Sequence, residues 1–170
     1  MNFKGLRLQM IVSVAVLTFV LILCGQFFYR RYFVLEPLLQ TLQQLDGVET
    51  VNAEKQNNIT HFMVSLTPVD DLAVTYQAVE KVINDAFTAN AYKISIDDQR
   101  SEELIDLYHQ IHFSIFEAIS LGNFTSMADV IDAQLAGIDA LYYRVSVDEK
   151  QIYVQLHHNN DAYLYEIITR

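Results

Sequence analysis

The sequence has little basic charge, little glycine or proline, one cysteine and no tryptophan. Only 11 lysines and arginines stand against 21 aspartates and glutamates, for a formal net charge of −10. That balance excludes nucleic acid as a partner, because neutralising phosphates takes clustered basic side chains. It also repels the chain from anionic lipid headgroups. The single cysteine, Cys24, excludes a disulfide scaffold without fixing the compartment. Five glycines leave little material for a phosphate-binding loop, and no nucleophile elbow or zinc signature is present. The chain is therefore read as a non-enzyme with no cofactor and no metal. Two sequons, Asn58-Ile59-Thr60 and Asn123-Phe124-Thr125, are read as unglycosylated chance triplets.

Charge is missing altogether from residues 8–29, which Arg7 and Arg30-Arg31 bracket. A helix rises about 1.5 Å per residue, so some 20 apolar residues cover a hydrocarbon core of roughly 30 Å. The stretch predicts a single transmembrane helix. Tyr29, Tyr32 and Phe33 fit an aromatic belt at its edge. A cleaved signal peptide fits less well, since no small-residue site follows the apolar core. A lipoprotein signal is disfavoured by the large Leu23 before Cys24. The amino terminus, Lys4 and Arg7 outweigh Arg30 and Arg31, which favours an amino terminus in the cytoplasm and an extracytoplasmic domain.

Beyond the anchor, periodicity predicts an α+β chain. Glu36 to Leu45 carries Leu38, Leu42 and Leu45 on one helical face, with Pro37 in the first turn and Gly47 as the stop. Strands are expected at Val48–Ala53 and Thr60–Thr67, the second alternating Phe62, Val64 and Leu66 against His61, Met63 and Ser65. Thr67-Pro68-Val69-Asp70 reads as a helix start, followed by a stripe of Leu72, Tyr76, Val79 and Ile83. A strand follows at Ala91–Ile96. The second half predicts a helix from Ser101 to Leu121, another capped by Thr125 or Ser126, and a three-stranded meander at Leu141–Val147, Gln151–Leu156 and Ala162–Ile168. The expected organisation is a tail and transmembrane anchor at 1–33, a ferredoxin-like αββαβ module with an antiparallel sheet at 34–98, and an ααβββ unit at 99–170 packed with it as one domain.

The run Leu42-x-x-Leu45-Asp46-Gly47-Val48-x-x-Val51, the alternating strand after it and the helix opened by Pro68-Val69-Asp70-Asp71-Leu72 resemble the αββαβ ring-building modules of bacterial secretion and sporulation membrane proteins. The resemblance covers residues 36–97 and implies modules packed side by side. The carboxy-terminal domains of cation-efflux transporters are similar in pattern, but no transport domain is present and His61 alone reproduces no metal-binding set.

Candidate chemical groups are few. His109 and His112 sit three apart on a helix, with no third ligand converging on them. His157 and His158 are neighbours in a strand and therefore diverge. Asp70-Asp71, Asp97-Asp98 and Glu102-Glu103 fall where helices begin, where carboxylates favour the dipole. Ten tyrosines remain, five of them in the final meander. Tyr143 shares a face with Val145 and Val147 and reads as core. Tyr153 reads as exposed, and Tyr153 and Tyr142 are the candidate interaction surface. The expected function is a single-pass, membrane-anchored assembly or interaction protein of a bacterial envelope complex, partnered by other membrane or envelope proteins or by itself. The alternative is a sensory or regulatory membrane subunit that binds a small ligand.

Overall fold

The computed structural model describes the chain apart from residues 1–7, 31–33, 58, 89–90 and 160, and apart from the side chains of residues 8, 9 and 27–30. The elements are α1 (Leu8–Arg30), α2 (Glu36–Gln43), β1 (Val48–Gln56), β2 (Ile59–Leu66), α3 (Leu72–Ala86), β3 (Tyr92–Asp97), α4 (Glu102–Leu121), α5 (Phe124–Leu135), β4 (Leu141–Val147), β5 (Gln151–His158) and β6 (Ala162–Thr169). The chain divides into two compact units, Met1–Thr41 and Leu42–Arg170. The stretches 42–98 and 99–170 thus fall in one unit.

In the first unit, among the described residues, no helix is long and apolar enough to cross a membrane. This corrects the expected spanning helix over residues 8–29 and the membrane, single-pass and signal-anchor assignments built on it. The side chains of α1 are described from Met10 to Gln26. The expected flanking charges Lys4, Arg7, Arg30 and Arg31, and the belt of Tyr29, Tyr32 and Phe33, lie outside the described residues and side chains.

The second unit is α+β with two three-stranded sheets, ordered β1-β2-β3 and β4-β5-β6. The first sheet is mixed, which corrects the antiparallel one expected for 34–98. β1 and β2 form an antiparallel hairpin, whereas β2 and β3 run parallel. The cause is the connection: α3 carries the chain back to the end where β2 began, and a strand entered after a helical crossover runs parallel to the one before it. The second sheet is the expected antiparallel meander.

Gly47 sets the join between α2 and β1. Its φ is +81°, which an L side chain rarely adopts, and an added Cβ would lie 2.3 Å from Val69 Cγ1. Its carbonyl accepts the Thr67 amide at 2.9 Å, tying the end of β2 to the start of β1. α3 does not begin at Thr67 as the sequence suggests. Asp71 is the cap, accepting the amides of Ala73 and Val74, and residues 67–70 are not helical. Likewise Asn123, not Thr125 or Ser126, holds the cap position of α5, without a side-chain capping bond.

Two cores result. One face of the second sheet, Ile152, Val154, Leu156 and Leu164, packs with Leu104, Leu107, Ile111 and Ile115 of α4 and Met127, Ile131 and Leu135 of α5. The first sheet buries Val51, Phe62, Val64 and Leu66. Phe62 meets Phe87, just past α3, edge-on at 5.4 Å, and the Tyr92 hydroxyl donates to Asn84 of α3. α3 also faces the second sheet, with the rings of Tyr76 and Tyr153 5.9 Å apart. It therefore lies against both sheets.

Candidate functional site

The segment 66–72, between β2 and α3, crosses the tyrosine-bearing face of the second sheet, and a buried polar network holds it there. Gln155 is 1% exposed. Its amide accepts the Leu72 N–H at 3.0 Å and donates to the Val69 carbonyl, pairing with the segment as a strand backbone would. The Tyr165 hydroxyl accepts the Val69 N–H at 2.9 Å, and the Tyr163 hydroxyl donates to the Leu66 carbonyl at 2.7 Å. His157 Nε2 lies 2.9 Å from the Tyr165 hydroxyl. Burial holds the His157 imidazole below its ordinary pKa, partly opposed by Asp70. Burial likewise pushes the Tyr165 phenol up to about 12. These groups are satisfied and neutral, which suits a structural clamp.

A second clamp joins the sheet edges. The Gln99 carbonyl accepts the Tyr163 amide at 3.0 Å. The Asp98 carboxylate, 2% exposed, accepts the Tyr165 amide and a two-point contact from Arg100, at 2.7 and 2.8 Å. Arg100 also reaches Glu166 at 2.8 Å. These partners hold the guanidinium more firmly protonated than usual, the Asp98 hydrogen bond foremost. Beyond the clamp the edges part. Residues 92–96 of β3 and 165–169 of β6 wall a cleft of about 800 Å³, with Tyr76, Glu80 and Asn84 of α3 along it.

The residues singled out from sequence are scattered. Tyr142 is 45% exposed, but Tyr153 is 2% exposed, which corrects its expected place on the surface. α3 covers its face of the sheet, and its hydroxyl donates to Asp148 at 2.7 Å. Tyr143 is half-buried against the core of α4 and α5 and donates to Asp132. His112 lies against Phe113 at 3.9 Å between ring centres, with its Nδ1 2.7 Å from the His109 carbonyl. His157 belongs to the clamp, while His158 lies 3.1 Å from Glu103. Among the described residues, no group of three or more histidine, cysteine or acidic side chains could hold a metal. Of the acidic pairs, Asp71 caps α3 and also pairs with Arg144 at 2.7 Å, and Glu102 and Glu103 lie in the first turn of α4. Asp98 departs from the capping reading, because it binds across to β6.

Sequence reasoning missed Asp98, Gln155 and Tyr165 as a working set. One signal was present: a glutamine in the centre of a strand otherwise rich in apolar and aromatic residues needs a polar partner if its face is covered. No protein family, curated protein or solved structure matches the chain.

Proposed function

We propose that the chain is a non-enzymatic assembly or interaction protein, one subunit of a larger complex. The observation that carries this reading is the surface of α1. Its large apolar side chains from Met10 to Leu23 are 47–69% exposed and lie on every side of the helix. An uninterrupted apolar surface of this kind marks an interaction site. The αββαβ order of residues 36–97, similar in pattern to ring-building modules, supports it. So do the two polar clusters, whose members bond one another. A second reading, small-ligand sensing, draws on a cavity of about 520 Å³ beside the clamp, lined by Tyr142, Arg144 and His157.

The test is isolation of the intact protein from its host in a mild non-ionic surfactant, with the mass of the complex measured. Assembly predicts a stoichiometric complex, with other chains or with copies of this one. Leu17→Lys/Leu21→Lys should release it without changing the melting of the second unit. A monomer carrying a bound metabolite would transfer the function to the sensing reading.

A further inference from the structure

We propose that the cleft between β3 and β6 is a binding site for an extended peptide segment of a partner chain, which adds as a strand and joins the two sheets into one. This site is separate from α1, on which the assembly reading rests.

Both walls are edge strands, each paired on one side only. Ala91 uses its carbonyl to accept the Thr60 amide, so odd-numbered residues of β3 face β2. By alternation, Tyr92, Ile94 and Ile96 present their N–H and C=O groups to the cleft. On β6, Tyr163 and Tyr165 direct their amides away from β5, toward Gln99 and Asp98. The β5–β6 register continues without a bulge, so Ile167 and Thr169 point the same way. Two rows of main-chain donors and acceptors thus face each other across the gap, and among the described residues no strand pairs with either on that side. Edges left in this state are templates for strand addition.

The space fits one strand. Five residues extend about 17 Å, and a strand takes about 4.8 Å in the sheet and about 10 Å between layers, or about 800 Å³ in all. The cleft, which is open to solvent along one side, has a volume of about 800 Å³, of the same order. The strand would run with one wall and against the other, because β3 runs toward the clamp and β6 runs away from it. Its alternate side chains would meet α3, where Glu80 has no ion-pair partner among the described residues. The preferred segment therefore carries a basic side chain flanked by β-branched residues. The Asp98–Arg100 clamp closes one end.

The experiment titrates the intact protein, labelled for NMR, with a blocked pentapeptide of threonine, valine, lysine, valine and threonine. The expected result is a shift and slowed hydrogen exchange at the amides of Ile94, Ile96, Ile167 and Thr169. The same peptide N-methylated at alternate amides should bind at least about tenfold more weakly, as should the wild-type peptide to Ile167→Pro. That substitution removes an amide that pairs with no other strand, and proline is tolerated at such edges. Glu80→Gln should narrow the preference for lysine over glutamate at the central position. Equal binding of the N-methylated peptide, shifts confined to other residues, or no binding at millimolar peptide would overturn the proposal. Protection of the same amides on raising protein concentration alone would give the cleft to a second copy and also overturn it.

Discussion

The two sheets of the second unit use the same period of two and bury their faces differently. In the mixed sheet, β2 and β3 alternate between covered and open positions, and Met63 on the outer face is 45% exposed. In the meander, β5 is buried at five consecutive residues, Ile152 to Leu156. The difference lies in what lies over each face. α4 and α5 cover one side of the meander, while α3 and segment 66–72 cover the other. Alternation in a sequence assigns residues to sides, and it takes the tertiary fold to say whether a side is dry.

The large effects expected from this contrast are in the doubly covered sheet. Leu164 is fully buried in the core of α4, α5, β5 and β6. Leu164→Ala should cost about 3 kcal/mol, from lost transfer energy and the cavity left behind. Ile96→Ala, at a half-buried edge of the mixed sheet, should cost about 1 kcal/mol. Urea unfolding of both variants checks the pair, and equal losses would break the comparison.

Polar burial sharpens it next. Tyr165→Phe keeps the ring and removes the hydroxyl that accepts the Val69 amide. A buried N–H left unpaired costs about 1–3 kcal/mol. Tyr153→Phe should cost less, about 0.5–1.5 kcal/mol, because Asp148 keeps the amides of Lys150 and Gln151 and the side chain of Gln77. Thermal melts should rank the two variants in that order.

This contrast also explains what could be read in advance. The order of elements from Glu36 to Thr169 follows from periodicity and punctuation, since the stripes Leu72, Tyr76, Val79, Ile83 and Leu104, Ile111, Ile115 are strong local signals. Strand direction was less legible: a helical crossover between β2 and β3 implies a parallel pair, which a count of strands does not reveal. The place of Tyr153 was illegible, because its cover comes from α3, some 70 residues earlier. The clamp was hidden for the same reason. Gln155 and Tyr165 meet Val69 across more than 80 residues, and Asp98 looked like a cap because acids before a helix usually are. The anchor expected at residues 8–29 is not borne out, since among the described residues no helix is long and apolar enough to cross a membrane.

Acid should probe the two covers separately. His157 is held below its ordinary value of 6.5 by burial. The unfolded chain therefore takes up that proton first, so the contribution is complete above about pH 6.5 and declines as the pH falls through the folded value. Asp148 is held at about 2, first by the Tyr153 hydroxyl and then by the amide of Lys150. Its contribution is complete above its ordinary value of 3.8 and is lost as the pH falls toward 2. Stability measured against pH should thus fall in two windows. His157→Gln should flatten the upper one and Asp148→Asn the lower. A single window shared by both variants would mean that the network and the turn titrate as one unit.

The smallest effect belongs to the open face. Met63 lies on β2 opposite Asn52 of β1 and Ser95 of β3, on the side away from Phe62 and Val64. With nearly half of it in water, Met63→Thr removes little buried area and puts a β-branched residue on a pleated, solvated surface. The expected change in stability is within about 0.5 kcal/mol of zero. Tyr153 occupies the corresponding side of the meander, where truncation to alanine should cost about 3–5 kcal/mol, since a large buried ring leaves a cavity beneath α3. The two substitutions together measure the cover itself. If Met63→Thr proved as damaging as Tyr153→Ala, the outer face of the mixed sheet would be covered in the assembled protein. The loss should then disappear in the isolated monomer, where only the chain's own elements remain to bury it.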